Sequence, residues 1–434
     1  MDFAAASEYL LSLGNEVSAM KLGLENIRTL LAAFGNPQNN YLKVQVAGTN
    51  GKGSVCAFLD SICVHSGIKT GLYTSPHLIS ITERIQVNGS DISEADFARH
   101  ATHVRETVEN LLARGELAYR PTFFEQVTAI ALVAFAEAKV ELSILETGLG
   151  GRLDATTAAN AEIAAITRID LDHQEYLGET IEDIAAEKAA IIRKDSIVCV
   201  GKQLPEAFEV IADRCSDLGV IPTTLNYARW EPNSPGVDFI MSGFTAEEVF
   251  VSLAGEHQYE NAALAILVAK QLKTIFPISD MNIIYGLERA RHPGRLEWMD
   301  QGNIRILLDG AHNQCGAHAL ARYMTKWHPK AGIVLVYGSM KGKDYDSILE
   351  TLIPLVNDII LTESGNSRSV SASQIADVGT LVLIKDQVFV IADVRQALDA
   401  AVQLAETYPA TRQAFVLVTG SLYLVGEVKK LLDN

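Results

Sequence analysis

A glycine-rich segment with a single lysine follows an apolar stretch near residue 47, and its composition suits phosphate binding. The segment is Ala47-Gly48-Thr49-Asn50-Gly51-Lys52-Gly53-Ser54. Glycines let the backbone turn so that several N–H groups point inward, a following helix adds the positive end of its dipole, and Lys52 adds a full charge. Together these groups suit a nucleoside triphosphate. The segment departs from the strict phosphate-loop pattern at Val46 and Gly53, and the alternative is a glycine turn that joins a strand to a helix.

A carboxylate stands at the end of a second apolar stretch. Glu146 closes the run 142–146, at the position where strands of an α/β sheet present ligands. A buried carboxylate is costly without a compensating partner, and the glycine-rich turn after it favours a metal ion. The alternative partner is Arg152 or Arg168.

Two further polar residues follow along the chain. His173 comes after the apolar run 163–167, which places it at the same sheet edge as Glu146. On its own, such a histidine is typical of a hydrogen-bonded structural residue. Lys188 lies on a predicted helix, where the default interpretation is a solvated lysine paired with Glu182 or Glu187.

The whole chain has the composition of a folded two-domain protein. It has 434 residues, of which 48% are hydrophobic, with 31 Gly and 12 Pro. The formal net charge of -17 provides no uniformly basic surface, which argues against a nucleic-acid partner. No long apolar run and no basic leader precede the first elements, so we expect a cytoplasmic protein without a membrane partner. The cysteines lack Cys-x-x-Cys spacing and are predicted to be buried thiols rather than disulfides or zinc ligands: Cys56, Cys63, Cys199, Cys215 and Cys315.

Apolar runs alternate with segments of helical periodicity, which predicts an α/β fold with a mostly parallel sheet. The first set predicts strands at 42–47, 70–74, 142–146 and 163–167, and helices at 52–65, 93–114, 123–138 and 181–192. A second set predicts strands at 304–309, 333–337, 359–362, 388–391 and 414–419, and helices at 317–327, 345–353, 372–378 and 395–406. We place the domain boundary at His292-Pro293-Gly294, giving domains 1–293 and 294–434. The stretch 222–255 is predicted to be hairpin or loop that closes the first domain.

Five segments in this order resemble the Mur ligase superfamily, and specifically its folylpolyglutamate synthase and dihydrofolate synthase branch. They are the segment Gly48 to Ser54, Thr74-Ser75-Pro76-His77-Leu78, the stretch 145–156, Leu171-Asp172-His173 with Glu187-Lys188-Ala189, and Leu308-Asp309-Gly310-Ala311-His312-Asn313. The resemblance implies a phosphate-loop domain joined to a smaller Rossmann-like α/β domain that binds glutamate. It implies that ATP phosphorylates the carboxylate of dihydropteroate or of a reduced folate's glutamate tail. L-Glutamate then attacks the acyl phosphate, and ADP and phosphate leave.

The resemblance also implies roles for individual residues. Two Mg²⁺ ions, replaceable by Mn²⁺, would be held by Ser75, Glu146, His173 and a carbamate on Lys188, while Lys52 stabilises the phosphates. Ser75 is otherwise a simple turn serine, and Ser54 is the alternative hydroxyl donor. Asn261, Arg295 and Asp309 would contact ATP; otherwise Asn261 is structural, and Arg295 and Asp309 form an interdomain ion pair.

The same resemblance implies a pteroate pocket and a glutamate site. The pocket would be lined by Leu22, Gly23, Leu24, Thr122, Phe123, Phe124, Glu125, Leu153, Asp154 and Ala155. Most aromatic pairs such as Phe123 and Phe124 belong to a core, which is the alternative. His312 and Ser421 are the candidates for holding glutamate.

The sequence therefore predicts a monomeric ATP-dependent amide ligase with both dihydrofolate synthase and folylpolyglutamate synthase activity. Alternatives are a monofunctional folylpolyglutamate synthase, a ligase for peptidoglycan precursors, and a nucleotide-binding ATPase that makes no amide bond. The form Lys52-Gly53-Ser54 argues against the peptidoglycan alternative.

Overall fold

The computed structural model describes residues 1–14, 23–225, 228–232, 236–382 and 385–433. The chain divides into two compact units, the first formed by Met1–Ser252 with Gln258–Arg291 and the second by Leu253–His257 with His292–Asn434. The second unit thus includes Leu253–His257, a short segment that the sequence analysis assigned to the first domain.

The first unit is built on an eight-stranded sheet in the order β4-β3-β2-β5-β1-β6-β7-β8. All pairs are parallel except those that β3 makes with β2 and β4. The strands are β1 (Leu42–Ala47), β2 (Thr70–Tyr73), β3 (Ile85–Val87), β4 (Ser90–Asp91), β5 (Leu142–Glu146), β6 (Ile163–Ile166), β7 (Ile197–Val200) and β8 (Thr223–Thr224). Every residue of β5 and all but the first of β1 are buried, as expected for strands covered on both faces.

Ten helices accompany this sheet among the described residues. They are α1 (Phe3–Ser12), α2 (Glu25–Ala33), α3 (Lys52–His65), α4 (Glu94–Ala113), α5 (Phe123–Ala138), α6 (Gln174–Leu177), α7 (Ile181–Ala189), α8 (Pro205–Leu218), α9 (His257–Leu272) and α10 (Asp280–Arg289). One apolar core lies under α1, α2, α4 and α5, and a second lies between the sheet and α7 and α8. A separate antiparallel sheet consists of β9 (Arg229–Pro232), β10 (Val237–Met241) and β11 (Phe244–Val249). This sheet corresponds to the predicted hairpin region, of which residues 226–227 and 233–235 lie outside the described residues.

The second unit has a six-stranded sheet in the order β12-β13-β17-β14-β15-β16, parallel except for β12. Its strands are β12 (Glu297–Gln301), β13 (Ile304–Leu308), β14 (Ile333–Tyr337), β15 (Asp358–Leu361), β16 (Val388–Val390) and β17 (Phe415–Thr419). Its helices are α11 (Gln314–Trp327), α12 (Tyr345–Leu352), α13 (Ala372–Ala376), α14 (Gly379–Val382), α15 (Val394–Glu406) and α16 (Leu422–Leu432). Two α/β units with mostly parallel sheets confirm the predicted fold class.

Each predicted strand and helix has a counterpart in the structure, whereas the edge strands β3 and β4 were not predicted. Helix α7 ends at Ala189 rather than at residue 192. Cys315 is only half-buried, so the prediction of five buried thiols is wrong at that position, while the other four are buried. Among the described residues, no helix is long and apolar enough to cross a membrane.

Candidate active site

The glycine-rich segment forms the turn between β1 and α3, and the end of β6 fixes its shape. The Thr49 N–H donates to the Arg168 carbonyl over 2.9 Å, and the Thr167 hydroxyl donates to the Asn50 carbonyl over 2.7 Å. Gly48 has φ +153°, and a Cβ there would lie 1.8 Å from Thr167 Oγ1. Only glycine fits at this position, because the loop packs directly against Thr167 at the end of β6.

The far end of the loop is the start of helix α3. Gly51 precedes the helix with φ +88°, and Ser54 is buried in its first turn. A Cβ on Gly51 would lie 2.3 Å from the Asn261 side-chain oxygen, so Asn261 of α9 packs directly on the loop. Asn261 also donates to Gln258 Oε1 over 2.9 Å. The N-terminus of α3 thus lies at this end of the loop, and the N–H groups of its first turn are donors of the kind that an anion site uses.

Two lysine side chains converge on one carbonyl of this loop. Lys52 Nζ donates to the Gly48 carbonyl over 3.0 Å and to the Thr49 carbonyl over 3.2 Å. Lys188 Nζ donates to the same Gly48 carbonyl over 3.0 Å. The interpretation of Lys188 as a solvated helix lysine is wrong, because the residue is 4% exposed and Glu187 pairs with Arg152 over 2.9 Å.

Burial changes the acid–base chemistry of Lys188. Desolvation, reinforced by the nearby charge of Lys52, lowers the pKa of Lys188 from 10.5 to about 7. A large fraction of the amine is therefore neutral at physiological pH. A neutral amine is a nucleophile, whereas an ammonium group is not.

Glu146 and Ser75 meet at the ends of adjacent parallel strands, β5 and β2. The Ser75 N–H donates to Glu146 Oε2 over 3.1 Å, and Glu146 is buried at 6% exposure. Of the two arginines considered as partners for Glu146, Arg152 pairs with Glu187, and Arg168 pairs with Asp170 over 3.0 Å.

His173 follows β6 at the same edge of the sheet. Its backbone adopts φ +52° and its N–H donates to Asp172 Oδ1 over 2.8 Å. Its Nε2 lies 3.9 Å from Asp172 Oδ2, and about a third of the side chain is exposed. The imidazole is therefore accessible at the edge where β1, β5 and β6 end.

The donor set can be tested against a metal ion. The described residues contain no group of three or more His, Cys, Asp or Glu side chains that could hold one. The predicted ligands supply one carboxylate, one imidazole and one hydroxyl, and Mg²⁺ prefers more oxygen donors. A carbamate on Lys188 would supply the missing carboxylate, so the set fits a cation only if that lysine is modified.

The glycine-rich turn after β5 is organised by Asp154, a predicted pteroate contact. One carboxylate oxygen accepts from the N–H groups of Gly148 and Leu149 over 2.8 and 3.0 Å. The other oxygen accepts from the N–H and hydroxyl of Thr156 over 3.0 and 2.5 Å. Both oxygens of Asp154 are thus engaged within the turn, which assigns this carboxylate a structural task.

The other predicted pteroate residues lie at the start of α5 and near it. Thr122 and Glu125 form a reciprocal capping box, and burial raises the pKa of Glu125. Phe123 and Phe124 are buried in the core, where Phe124 contacts Tyr73 with a ring-centroid separation of 5.9 Å. The same core includes Leu24 and Ala155, while Leu153 is half-buried and Gly23 immediately precedes Leu24. Leu22 lies outside the described residues.

A buried arginine that the sequence analysis did not single out borders this region. The Arg84 guanidinium lies 5.2 Å from the centre of the Phe123 ring and is 2% exposed. Its Nε donates to His77 Nδ1 over 2.7 Å. Burial and the charge of Arg84 lower the pKa of His77 to about 3, so this imidazole stays neutral. The motif containing His77 was the only sequence signal for this pair.

In the second unit, Asp309 organises the turn that follows β13. Its two oxygens accept from the N–H groups of Leu296 and Ala311, each over 3.0 Å. Burial raises the pKa of Asp309, and the charge of Arg295 opposes that rise. Both residues belong to the second unit, so an ion pair between domains is not the right description.

The glutamate candidates share that sheet edge. His312 Nδ1 lies 2.8 Å from the Gly310 carbonyl, and the Gly420 N–H donates to the Ala311 carbonyl over 3.1 Å. Ser421 is buried and caps α16 by accepting from the Tyr423 N–H over 3.2 Å. The turns after β13 and β17 therefore bring His312 and Ser421 to one region.

Comparisons with known proteins agree with this geometry. A model of the Mur ligase middle domain matches residues 46–269, and a model of the dihydrofolate synthetase C-terminal domain matches residues 294–432. The dihydrofolate synthase/folylpolyglutamate synthase of Bacillus subtilis is 34% identical over 423 residues, which cover 95% of each chain.

Two solved structures extend the likeness to the whole fold. The Mycobacterium tuberculosis folylpolyglutamate synthase complexed with ADP superposes with a TM-score of 0.92 at 29% identity, covering 100% of this chain and 99% of the other. The bifunctional folylpolyglutamate synthase/dihydrofolate synthase of Yersinia pestis, complexed with AMPPNP and Mn, superposes with a TM-score of 0.86 at 30% identity. The match covers 100% of this chain and 98% of the other.

The matching domain models and the relatives define an ATP-dependent ligase of the Mur type. Within that class, the chain belongs to the dihydrofolate synthase/folylpolyglutamate synthase family. This assignment removes the alternatives of a peptidoglycan-precursor ligase and of an ATPase that makes no amide bond.

Proposed function

We propose that the protein joins L-glutamate to dihydropteroate and to the γ-carboxylate of reduced folates, using ATP and proceeding through an acyl phosphate. The observation that carries this proposal is the convergence of Lys52 and Lys188 on the Gly48 carbonyl, each over 3.0 Å. One lysine provides charge for phosphates, and the other is a buried amine suited to modification at the same point.

The chemistry requires activation because a carboxylate does not react with an amine in water. The γ-phosphoryl group of ATP passes to the substrate carboxylate, and the amine of glutamate displaces phosphate to form the amide. The loop N–H groups, the start of α3 and Lys52 stabilise the charge that develops on the phosphoryl oxygens. No side chain needs to become covalently attached to substrate, since catalysis is by positioning and charge stabilisation.

We infer that the neutral amine of Lys188 adds to CO₂ and releases a proton, which gives a carbamate. Ser75, Glu146, His173 and this carbamate would hold two divalent cations, Mg²⁺ or Mn²⁺, which neutralise phosphate charge when bound. The burial of Lys188 and its pKa of about 7 support this assignment.

The remaining roles follow the arrangement in each unit. In the first, residues 48–54 and Asn261 bind the nucleotide, and the segments around Leu24, Phe124 and Ala155 bind pteroate. In the second, Arg295 and Asp309 position ATP, while His312 and Ser421 hold glutamate. We also propose that the protein is a cytoplasmic monomer.

The deciding experiment measures ADP release by the purified protein with dihydropteroate and tetrahydrofolate side by side, each with and without L-glutamate. We expect glutamate-dependent release with both substrates. Turnover of tetrahydrofolate alone would identify a monofunctional folylpolyglutamate synthase. An ADP release rate that is the same with and without L-glutamate and either substrate would overturn the proposed ligase reaction.

A further inference from the structure

The backbone that follows strand β6 carries part of the phosphate loop, residues 48–54. The Arg168 carbonyl accepts from the N–H groups of Thr49 and Asn50 over 2.9 and 3.3 Å. The Thr49 hydroxyl also donates to the Asp170 carbonyl over 2.9 Å. The Thr167 hydroxyl donates to the Asn50 carbonyl over 2.7 Å. The backbone between positions 167 and 170 therefore sets where Thr49 and Asn50 lie.

A glutamine from a different loop holds this same stretch of backbone. Gln203 lies between β7 and α8, and its side chain is half-buried. Gln203 Nε2 donates to the Thr167 carbonyl over 2.7 Å, and the Ile169 N–H donates to Gln203 Oε1 over 3.0 Å. The Gly201 N–H, one residue past β7, donates to the Ile166 carbonyl over 2.8 Å. A side-chain amide has the donor and the acceptor of a peptide group, so Gln203 continues the pairing of β7 with β6 beyond the end of both strands.

Gln203 and the phosphate loop contact opposite sides of one peptide group. The Ile169 N–H, which donates to Gln203, belongs to the same planar unit as the Arg168 carbonyl. That carbonyl accepts from the two loop N–H groups. In a trans peptide the N–H and the C=O point in opposite directions, so a rotation of this unit would lengthen the hydrogen bonds on both sides. Gln203 thus fixes the direction of the carbonyl that holds the loop.

We propose that Gln203 is a positioning residue for ATP, which sets the affinity for the phosphates through the Arg168 carbonyl rather than by contact with them. The proposal rests on the nucleotide-binding role proposed above for residues 48–54. Because the N–H groups of Thr49 and Asn50 are directed at Arg168, the N–H groups that face the phosphates are those of the first turn of α3. Their direction depends on the loop that precedes them, so a rotation at Arg168 would turn them away from the phosphates.

The test compares nucleotide affinity in two variants whose side chains are close to glutamine in size. Gln203→Met removes both hydrogen bonds. Gln203→Glu keeps an acceptor for the Ile169 N–H but places a carboxylate oxygen against the Thr167 carbonyl, and it serves as the second variant if Gln203→Met does not fold. Gln396→Met is the matched control, because Gln396 is an exposed glutamine on α15 of the second unit. Calorimetry with ADP gives Kd, steady-state kinetics gives KM for each substrate, and urea titration gives the free energy of unfolding.

We expect either Gln203 variant to raise Kd for ADP and KM for ATP about tenfold, the effect of leaving one buried backbone group without its partner. KM for dihydropteroate, KM for L-glutamate and every value for Gln396→Met should stay unchanged. Unchanged ADP affinity in the Gln203 variants would overturn the proposal even if both variants unfold at lower urea, because Gln203 would then stabilise the fold alone. An equal rise in KM for all three substrates would overturn it as well.

The proposed function and the role of Gln203 fail in distinguishable ways. Wild-type protein that binds ADP but shows no glutamate-dependent ADP release contradicts the proposed function, and the ADP affinities of the two variants then still decide the role of Gln203. Wild-type ligase activity together with unchanged ADP affinity in both variants contradicts the role of Gln203 alone. Wild-type protein that does not bind ADP overturns both.

Discussion

The buried amine of Lys188 predicts that ligase activity depends on dissolved CO₂ with a midpoint near pH 7. Lowering the pKa from 10.5 to about 7 raises the neutral fraction at pH 7 from about one part in three thousand to about one half. That fraction is about one tenth at pH 6 and about nine tenths at pH 8. At a fixed concentration of dissolved CO₂, the initial rate of carbamate formation should follow the same curve, because only the neutral amine adds to CO₂.

The same shift has a cost in stability. A displacement from 10.5 to about 7 corresponds to about 5 kcal/mol between the protonation states. Because the folded-state pKa of Lys188 is below its unfolded-state pKa, the free energy of unfolding is highest above pH 10.5. It decreases by this amount as the pH falls from 10.5 to about 7. Lys188→Met should therefore raise the free energy of unfolding at pH 7 and abolish turnover.

The assay uses protein prepared in CO₂-depleted buffer and follows the onset of glutamate-dependent ADP release after dissolved CO₂ is brought to one fixed concentration at pH 6, 7 and 8. Carbon-13 bicarbonate reports the carbamate directly by NMR. Lys194→Met serves as the control, because Lys194 is an exposed lysine beyond the end of α7. Full activity in Lys188→Ala or Lys188→Met, or activity that ignores CO₂ at every pH, would refute the reasoning.

Two other predictions concern the phosphate loop and the helix that follows it. Gly51→Ala should raise KM for ATP at least about tenfold, because the new methyl group meets the Asn261 side chain at 2.3 Å in a left-handed backbone. Gly67→Ala is the matched control, with φ +77° and nothing within 4 Å, and an equal rise there would contradict the explanation. Burial raises the pKa of Asp60 to about 6, against the opposing hydrogen bond from Thr70. Because the folded-state pKa lies above the unfolded-state pKa, the free energy of unfolding of wild-type protein should decrease by up to about 3 kcal/mol as the pH rises from 4 to 6. Urea titrations of Asp60→Asn should show a smaller change in the free energy of unfolding over the same pH range.

The sequence predicted most of what depends on local pattern. The phosphate loop between a strand and a helix was predicted because glycine and lysine at those positions have a direct backbone consequence. Buried strands such as β1 and β5 were also predicted, since they are continuous apolar runs. The edge strands β3 and β4 were missed because they are short and partly exposed, which leaves no apolar run to recognise.

Other features could not be predicted because they depend on contacts between distant segments. Lys188 lies on a helix of mixed composition, and only its approach to Gly48, 140 positions away, shows that it is buried. The hydrogen bond from the Thr167 hydroxyl to the Asn50 carbonyl joins residues that are 117 positions apart. Asp154 was predicted to contact substrate by resemblance, and that stays a prediction, while the four hydrogen bonds by which it holds the turn together were not predicted.

The segment Leu253–His257 has a consequence for how the protein is made. Ala254 packs on the apolar core of the second unit, and Glu256 pairs with Lys326, yet the ribosome delivers both well before the rest of that unit. During translation these residues lack their packing and ion-pair partners until the later strands and helices of the second unit have been synthesised. A gene fragment starting at residue 294 would lack them altogether, so expression of the C-terminal half by itself should yield poorly folded material unless this short piece is grafted back.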